Sequence, residues 1–285
     1  MKRQHSGMMG RMGVWLACGM AAAALGLAAG AGQAAAKTEL TWYGQAAFKV
    51  VTPSGGVFLI DPWLANPKNP DKAAVDKLSR VDYILITHAH GDHVGNAVEI
   101  AKKTGAQLVT TAGLNRALQS VYGYPKEQAG IGTSGNVGGR ISLPKVGAHV
   151  TIVNAVHGSS LNIPKPAEGA NAVTTGGNPV GLVIEIEGGP TLYHTGDTDV
   201  FTDMKLIDEF FDVDVMLACI GDHFTMGPSR AALAVEFVNP RQVIPMHFGT
   251  FPLLSGTPEA LQREMSKRGV KADLVAMSPG ETRNF

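Results

Sequence analysis

The sequence predicts a layered α/β domain, with two sheets inside and helices outside. Three observations predict it. Short β-type runs open the chain and then give way to strands alternating with helices, the order expected of packed layers. One continuous apolar run, Asp82–Thr87 (DYILIT), has strand length and reads as a strand buried on both faces. Polar side chains abut the ends of several such runs, which is where α/β folds usually bind ligands.

Composition narrows the class further. The 285 residues carry 24 basic and 24 acidic side chains, 9 His and 2 Cys. Balanced charge excludes a nucleic-acid binder that works by a cationic surface. Two cysteines exclude a disulfide scaffold and a four-thiolate zinc site. Hydrophobic residues at 45% exclude a disordered chain.

Residues 1–36 are set apart from the fold. Lys2, Arg3 and Arg11 precede an apolar, Ala-rich run from Met12 to about Ala31, and Ala34-Ala35-Ala36 precede Lys37. A basic start, an apolar middle and small residues at the end predict a secretory signal peptide cleaved after Ala36, and hence a periplasmic or secreted product. The alternative is an uncleaved membrane anchor. The run is rich in Ala and Gly rather than Leu and Ile, which favours cleavage and no stable membrane insertion afterwards. Trp15, three before Cys18, and the apolar run beyond it speak against lipidation. Cleavage removes three basic side chains and no acidic one, which leaves a net charge of −3. It also leaves one cysteine, Cys219, in the apolar run VDVMLACI, where a buried, inert thiol is expected.

The domain at 37–285 is expected to be single. Its opening strands are Glu39–Tyr43, Ala47–Thr52 and Val57–Asp61, separated by turn signals such as Pro53-Ser54-Gly55-Gly56. After the buried strand, Asn96–Thr104 and Gly113–Tyr122 have helical spacing, with a strand at Gln107–Thr111 between them. Val150–Val156, Val180–Glu187 and Thr191–Thr195 are further strands. Helix and strand then alternate: Thr202–Phe211, Val213–Ile220, Pro228–Val238, Gln242–Met246, Pro258–Arg268 and Ala272–Met277. Tyr122–Arg140 and Ile163–Gly181 read as long Gly/Pro-rich connections, a length usually tied to function or mobility.

The chemistry sits at strand ends. Thr87–Gly95 (THAHGDHVG) gives His88, His90, Asp92 and His93 directly after the buried strand. In extended backbone, residues two apart face the same way, so His88 and His90 suit one ion. Gly91 is expected to permit a sharp turn that aims Asp92 and His93 at a second position. Imidazole suits zinc and similar ions, and carboxylate neutralises charge. His157, Asp197 and His247 follow later strands and are candidates to converge on the same place.

Taken in order, HxHxDH, His, GDT-Asp and His resemble the metallo-β-lactamase superfamily over nearly all of residues 37–285. More narrowly, IDPWLANP, NAVHGSS, IGDHFTMGP and VIPMHFGTFP make the chain similar to a family of metal-dependent hydrolases related to the ascorbate-6-phosphate lactonases. The resemblance implies a four-layer αββα sandwich with two metals at one edge, between the sheets. It implies that His88, His90 and His157 hold one metal, that Asp92, His93 and His247 hold the other, and that Asp197 bridges them. Two divalent ions are implied, zinc by default, with manganese, iron or nickel as alternatives.

The implied reaction is attack of a metal-activated hydroxide, oriented by Asp92, on a small ester, lactone or phosphodiester. His223 is expected to face the metals as a substrate contact or proton donor. Asp61 ends a strand and is a candidate to hydrogen-bond a ligand histidine; the alternative is that it only starts the turn at Pro62. His194 is expected either to support the site or to pack in the core, and His149 to pack or lie at the surface. Phe224, Met226 and Phe248 are candidates for an apolar wall. Gly158 separates His157 from Ser159, which leaves no clear role for the Ser159 hydroxyl.

Other functions weigh less. The zinc β-lactamases lack the bridging aspartate, and one class uses a cysteine ligand, so β-lactam hydrolysis is an alternative rather than the reading. A nuclease needs a cationic track, which a net charge of −3 does not supply. Diiron redox relatives replace a ligand histidine with glutamate, whereas His90 is histidine here. A non-catalytic metal-binding scaffold remains the second alternative. The expected partner is a small-molecule substrate and not nucleic acid; no pattern in the chain sets an oligomeric state.

Overall fold

A computed structural model describes residues 37–285 apart from Lys165, Ala167 and Asn171. The expected export segment, residues 1–36, lies outside the described residues.

The described residues form sixteen strands and seven α-helices. Strands β1 (Glu39–Gly44), β2 (Ala47–Val51), β3 (Val57–Ile60), β4 (Tyr83–Leu85), β5 (Gln107–Thr111) and β6 (Ser134–Gly135) come first. They are followed by β7 (Arg140–Leu143), β8 (Ala148–Asn154), β9 (Ser160–Asn162), β10 (Val173–Thr175), β11 (Val180–Ile186) and β12 (Thr191–His194). The last four are β13 (Val215–Cys219), β14 (Gln242–Met246), β15 (Asp273–Leu274) and β16 (Thr282–Asn284). The helices are α1 (Ala74–Lys77), α2 (Gly91–Val94), α3 (Ala97–Thr104), α4 (Ala112–Tyr122), α5 (Lys205–Phe210), α6 (Pro228–Val238) and α7 (Pro258–Arg268).

Two seven-stranded sheets result, ordered β16-β1-β2-β3-β4-β5-β6 and β15-β14-β13-β12-β11-β8-β7, with β9 and β10 as a separate hairpin. Each sheet passes from antiparallel to parallel pairing. β3, β4, β5 and β6 run parallel in the first, and β12, β13, β14 and β15 in the second.

Burial explains the layering. In the first sheet Phe58, Ile60 and Leu85 join a core shared with Val150, Ile152, Leu182 and Ile184 of the second sheet. Their neighbours Leu59 and Ile84 turn the other way, into a core with Ile100 of α3 and Leu114 and Leu118 of α4. Strand alternation thus fills both sides of the first sheet. Ala231 and Val235 of α6 and Leu261 and Met265 of α7 pack with the strands of the second sheet. Helix ends match their sequence signals. The Thr257 hydroxyl accepts a hydrogen bond from the Ala260 N–H, Pro258 opens α7, and Gly269 closes it in the left-handed region.

The expected elements are present, most with boundaries shifted by a residue or two, and several others are added; the strand expected at Ala272–Met277 shortens to β15, and the helix expected at Thr202–Phe211 opens with a 3-10 turn before α5. The connection 122–140 contains two short 3-10 turns and β6, and β7 begins at its end. Ile163–Gly181 contains β10, which pairs with β9. β16 is polar and fully exposed, so it carries no hydrophobic period; its signal is the backbone ladder to β1. Among the described residues no helix is long and apolar enough to cross a membrane.

Candidate metal centre

Every candidate donor follows a strand. His88 leaves β4, His157 leaves β8, Asp197 leaves β12 and His247 leaves β14. The expected sharp turn at Gly91 is corrected: the backbone there forms α2, a single helical turn that begins at Gly91 with His90 as its N-cap. That turn, rather than a glycine-only conformation, sends Asp92 and His93 away from His90. Glycine is needed elsewhere. Gly196 has φ +60°, and a Cβ on it would sit 2.6 Å from the Val180 carbonyl, so the chain before Asp197 can approach β11 only without a side chain.

The donors converge in two groups. One nitrogen or oxygen from each of His88, His90, His157 and Asp197 lies within 4.8 Å of the others, and the same holds for Asp92, His93 and His247. Asp197 Oδ2 is central: it lies 3.0 Å from His247 Nε2, 3.3 Å from His93 Nε2, 3.6 Å from His157 Nε2 and 4.0 Å from His88 Nε2. Asp92 Oδ2 lies 3.3 Å from His247 Nε2 and 3.7 Å from His93 Nε2. Each group takes donors from loops of both sheets. His93 Nε2 and Asp197 Oδ1 are buried with no hydrogen-bond partner. Orphaned lone pairs of this kind are costly unless a cation meets them, so the donor set fits metal ions well.

Surrounding groups fix the tautomers. Asp61 is fully buried and accepts from the Thr87 N–H at 2.8 Å and the Thr87 hydroxyl at 2.7 Å, and its Oδ2 lies 2.7 Å from His93 Nδ1. Of the two readings of Asp61, the bond to a candidate ligand histidine is the one present. It holds a proton on His93 Nδ1 and aims Nε2 inward, as the atom left for a cation. Because the Thr87 hydroxyl spends its hydrogen on Asp61, it accepts from His88 Nδ1 at 3.0 Å. His88 Nε2 then carries a lone pair, 3.0 Å from His90 Nδ1.

Gln45, in the β1–β2 turn, is a participant that sequence reasoning missed. It is 1% exposed, and its Nε2 lies 2.8 Å from Asp92 Oδ2 and 2.7 Å from His247 Nε2. Its carbonyl accepts from the Trp42 indole and from the His247 N–H, each at 3.0 Å. Gln45, Asp61 and His247 all hold left-handed backbone, with φ of 51°, 43° and 57°. Three non-glycine residues in that costly region beside one cluster mark a strained site held by its surroundings.

Charge state follows position. Burial pushes His88, His90 and His157 below the ordinary imidazole range, with their histidine neighbours adding to the effect. Burial also opposes charge on His93, but Asp197, Asp61 and Asp92 outweigh it and hold that ring well above its ordinary value. At His247 burial is likewise outweighed, by Asp197 and Asp92, and the ring is raised to about 9. Asp197 is buried and Asp92 partly so, yet the facing imidazoles hold both well below the usual carboxylate range.

A cavity of about 460 Å³ opens onto the donors, with Trp63, Phe224, Phe251 and Leu254 as its apolar wall. Phe224 takes the position expected of a wall residue. Met226 is fully buried in the core, and Phe248 stacks on Trp42 at 5.6 Å rather than lining the cavity. His223 is exposed in a tight turn at φ 53° and does not line the cavity. His194 Nε2 donates to the Ala46 carbonyl and its Nδ1 accepts from the Gly196 N–H, so it braces the segment before Asp197. The Ser159 hydroxyl accepts from the Ala89 N–H, which pins the loop between His88 and His90. His149 is half-buried on β8. Cys219 is buried and its thiol is pushed up to about 11, chiefly by burial, as expected of an inert side chain.

Comparison with known proteins places these features in a family. A family model described as the Beta-lactamase superfamily domain matches residues 57–248. The chain is 52% identical over 246 residues to a UPF0173 metal-dependent hydrolase of Thermodesulfovibrio yellowstonii, which covers 86% of this chain and 91% of that protein. It is 54% identical over 246 residues to a UPF0173 metal-dependent hydrolase of Anaeromyxobacter sp. strain K, with 86% of each covered. Among solved structures it is similar to Igni18, a metallo hydrolase of the archaeon Ignicoccus hospitalis. That likeness has 32% identity and a TM-score of 0.73, over 87% of this chain and 98% of the other.

Proposed function

The chain belongs to the UPF0173 metal-dependent hydrolases of the metallo-β-lactamase superfamily, and on that premise we propose that it hydrolyses a small ester, lactone or phosphodiester with two divalent ions, zinc by default. The observation that carries this reading is the position of Asp197 Oδ2, within 4.0 Å of imidazole nitrogens from both donor groups.

In the proposed assignment His88, His90 and His157 hold one ion, Asp92, His93 and His247 the other, and Asp197 both. Two ions so held would lower the pKa of a water to about 7 and polarise the substrate oxygen. The protein's own groups do the rest. Asp61 keeps the His93 proton on Nδ1, and Thr87 keeps the His88 proton on Nδ1. The Gln45 amide donates to Asp92 Oδ2 and so fixes that carboxylate beside His247. Asp92 is the more exposed of the two carboxylates and faces the cavity, so it is the one placed to orient the attacking water. With His223 outside the lining, no proton transfer is assigned to it.

We further read the product as exported. The support is the charge and hydropathy order of residues 1–36. The reaction is tested by screening the metal-loaded protein against lactones, thioesters, phosphodiesters and a β-lactam, before and after chelation. Turnover of a member of the first three classes that disappears with the metal supports it. Turnover of the β-lactam alone, or of nothing, overturns it.

A further inference from the structure

The cavity has two unlike walls. One is the donor cluster with Gln45; the other is Trp63, Phe224, Phe251 and Leu254. The apolar wall is assembled from three separate segments, those after β3, β13 and β14. Trp63 and Phe251 meet with ring centroids 6.0 Å apart and an interplanar angle of 22°, so they form one continuous aromatic surface. That surface is wet: Phe251 is 41% exposed, and Phe224 is 54% exposed. Covering such rings yields about 25 cal/mol for each Å² removed from water.

The wall is also held in place. A Cβ on Gly95 would meet Trp63 backbone at 2.4 Å, so the loop after α2 abuts Trp63 directly. The Asn66 amide donates to the Trp63 carbonyl at 2.8 Å. Phe224 follows Asp222 and His223, both in left-handed backbone at φ 66° and 53°, in a turn closed by the Asp222–Met226 backbone bond. A preformed apolar surface lowers the ordering cost of binding. Among the described residues, no lysine or arginine lines the cavity to pair with a remote anionic group.

We propose that the substrate is an uncharged ester or lactone whose apolar, ring-sized group lies against Trp63, Phe224 and Phe251 while its carbonyl faces the donor cluster. This rests on the hydrolase reading and selects the ester or lactone over the phosphodiester. A volume of about 460 Å³ is ample for such a molecule.

The test reads binding rather than turnover. Acetate, phenylacetate and dimethyl phosphate are titrated calorimetrically into the zinc-loaded full chain. Phenylacetate is expected to bind on the order of tenfold more tightly than acetate, the gain expected for one shielded ring. That ratio should shrink toward one in the double variant Trp63→Ala, Phe251→Ala. Phe224→Ala, at a position 54% exposed, should reduce it partly, and Trp63→Phe should keep most of it. Equal affinities in the unmodified protein, a ratio that survives in the variants, or a preference for dimethyl phosphate overturns the proposal. Failure of the hydrolase reading looks different: the ring preference persists while every ester, lactone and phosphodiester goes unhydrolysed.

Discussion

Asp197 Oδ2 lies near imidazoles of both donor groups, yet the groups differ in their electrostatics. In the first, His88, His90 and His157 are held below the ordinary imidazole range by burial and by one another, so at neutral pH they present lone pairs. In the second, His93 and His247 face Asp92 and Asp197, with Asp61 behind His93, and both are held above that range. The difference comes from the number of carboxylates each ring meets. His88 has the Thr87 hydroxyl behind it, whereas His93 has Asp61. The lesson is that similar ligand sets have different entry costs. A cation enters the first group against neutral rings, and enters the second by displacing protons. Loading is therefore expected to be ordered.

Removing what the groups share has the largest effect. Asp197→Ala deletes the oxygen that reaches imidazoles of both, and metal content and hydrolysis should fall together. The loss should exceed the roughly 10–100-fold typical of outer partners. A variant that keeps two metals and full turnover would end the bridging assignment.

Next is Asp61→Ala, which touches the second group through His93 and leaves the first group's donors in place. It strands the Thr87 N–H, the Thr87 hydroxyl and His93 Nδ1 in a buried site. A broken buried pair of this kind costs about 3–5 kcal/mol. Denaturant unfolding reads the stability, and metal titration reads the asymmetry: the weaker-binding ion should be lost first. Equal loss of both ions would erase the distinction between the groups.

The sequence showed one group more readily than the other. His88, His90, Asp92 and His93 fall within six residues after an apolar strand, and that contrast is visible without coordinates. His157, Asp197 and His247 are single polar residues at strand ends, and only their order along the chain ties them to the cluster. Asp61 was readable as a strand-end carboxylate. Gln45 was not, because a polar residue in a hairpin turn is unremarkable until His247 folds over it from the other sheet. The aromatic wall was hidden for the same reason, since Trp63 and Phe251 are 188 positions apart. Among fold elements, β16 was missed because its three polar, exposed residues carry no hydrophobic period; a backbone ladder and the Thr41–Thr282 hydroxyl contact hold it to β1.

Proton release separates the groups without mutation. His247 sits at about 9 in the folded protein, above its ordinary value near 6.5. Its stabilising charge is complete below 6.5 and is lost as pH rises through 9, and His93 moves in the same sense. The first-group rings are already neutral over that window. The melting temperature of metal-depleted protein should therefore fall between pH 6.5 and 9. At pH 7 the second equivalent of zinc should release more protons than the first, with the difference narrowing as pH rises through 9. Equal release by both equivalents at pH 7 would show that the groups do not differ in charge.

The smallest effect is expected at Gln45, which belongs to the second group alone. Gln45→Asn is the informative change, because asparagine tolerates the left-handed backbone at φ 51° while its shorter side chain cannot reach Asp92. The backbone bonds that Gln45 accepts from Trp42 and His247 survive, so the turn should keep its shape. What is lost is the amide that fixes Asp92 Oδ2 beside His247 Nε2. The second ion should then bind about tenfold more weakly, at the low end for an outer partner, while the first is unchanged. A two-step metal titration resolves the two affinities. Because Asp92 would also orient the attacking water, kcat at saturating metal should fall even after affinity is compensated. Full recovery of kcat under excess metal would confine Gln45 to metal retention and leave the aim of Asp92 to the helical turn that carries it.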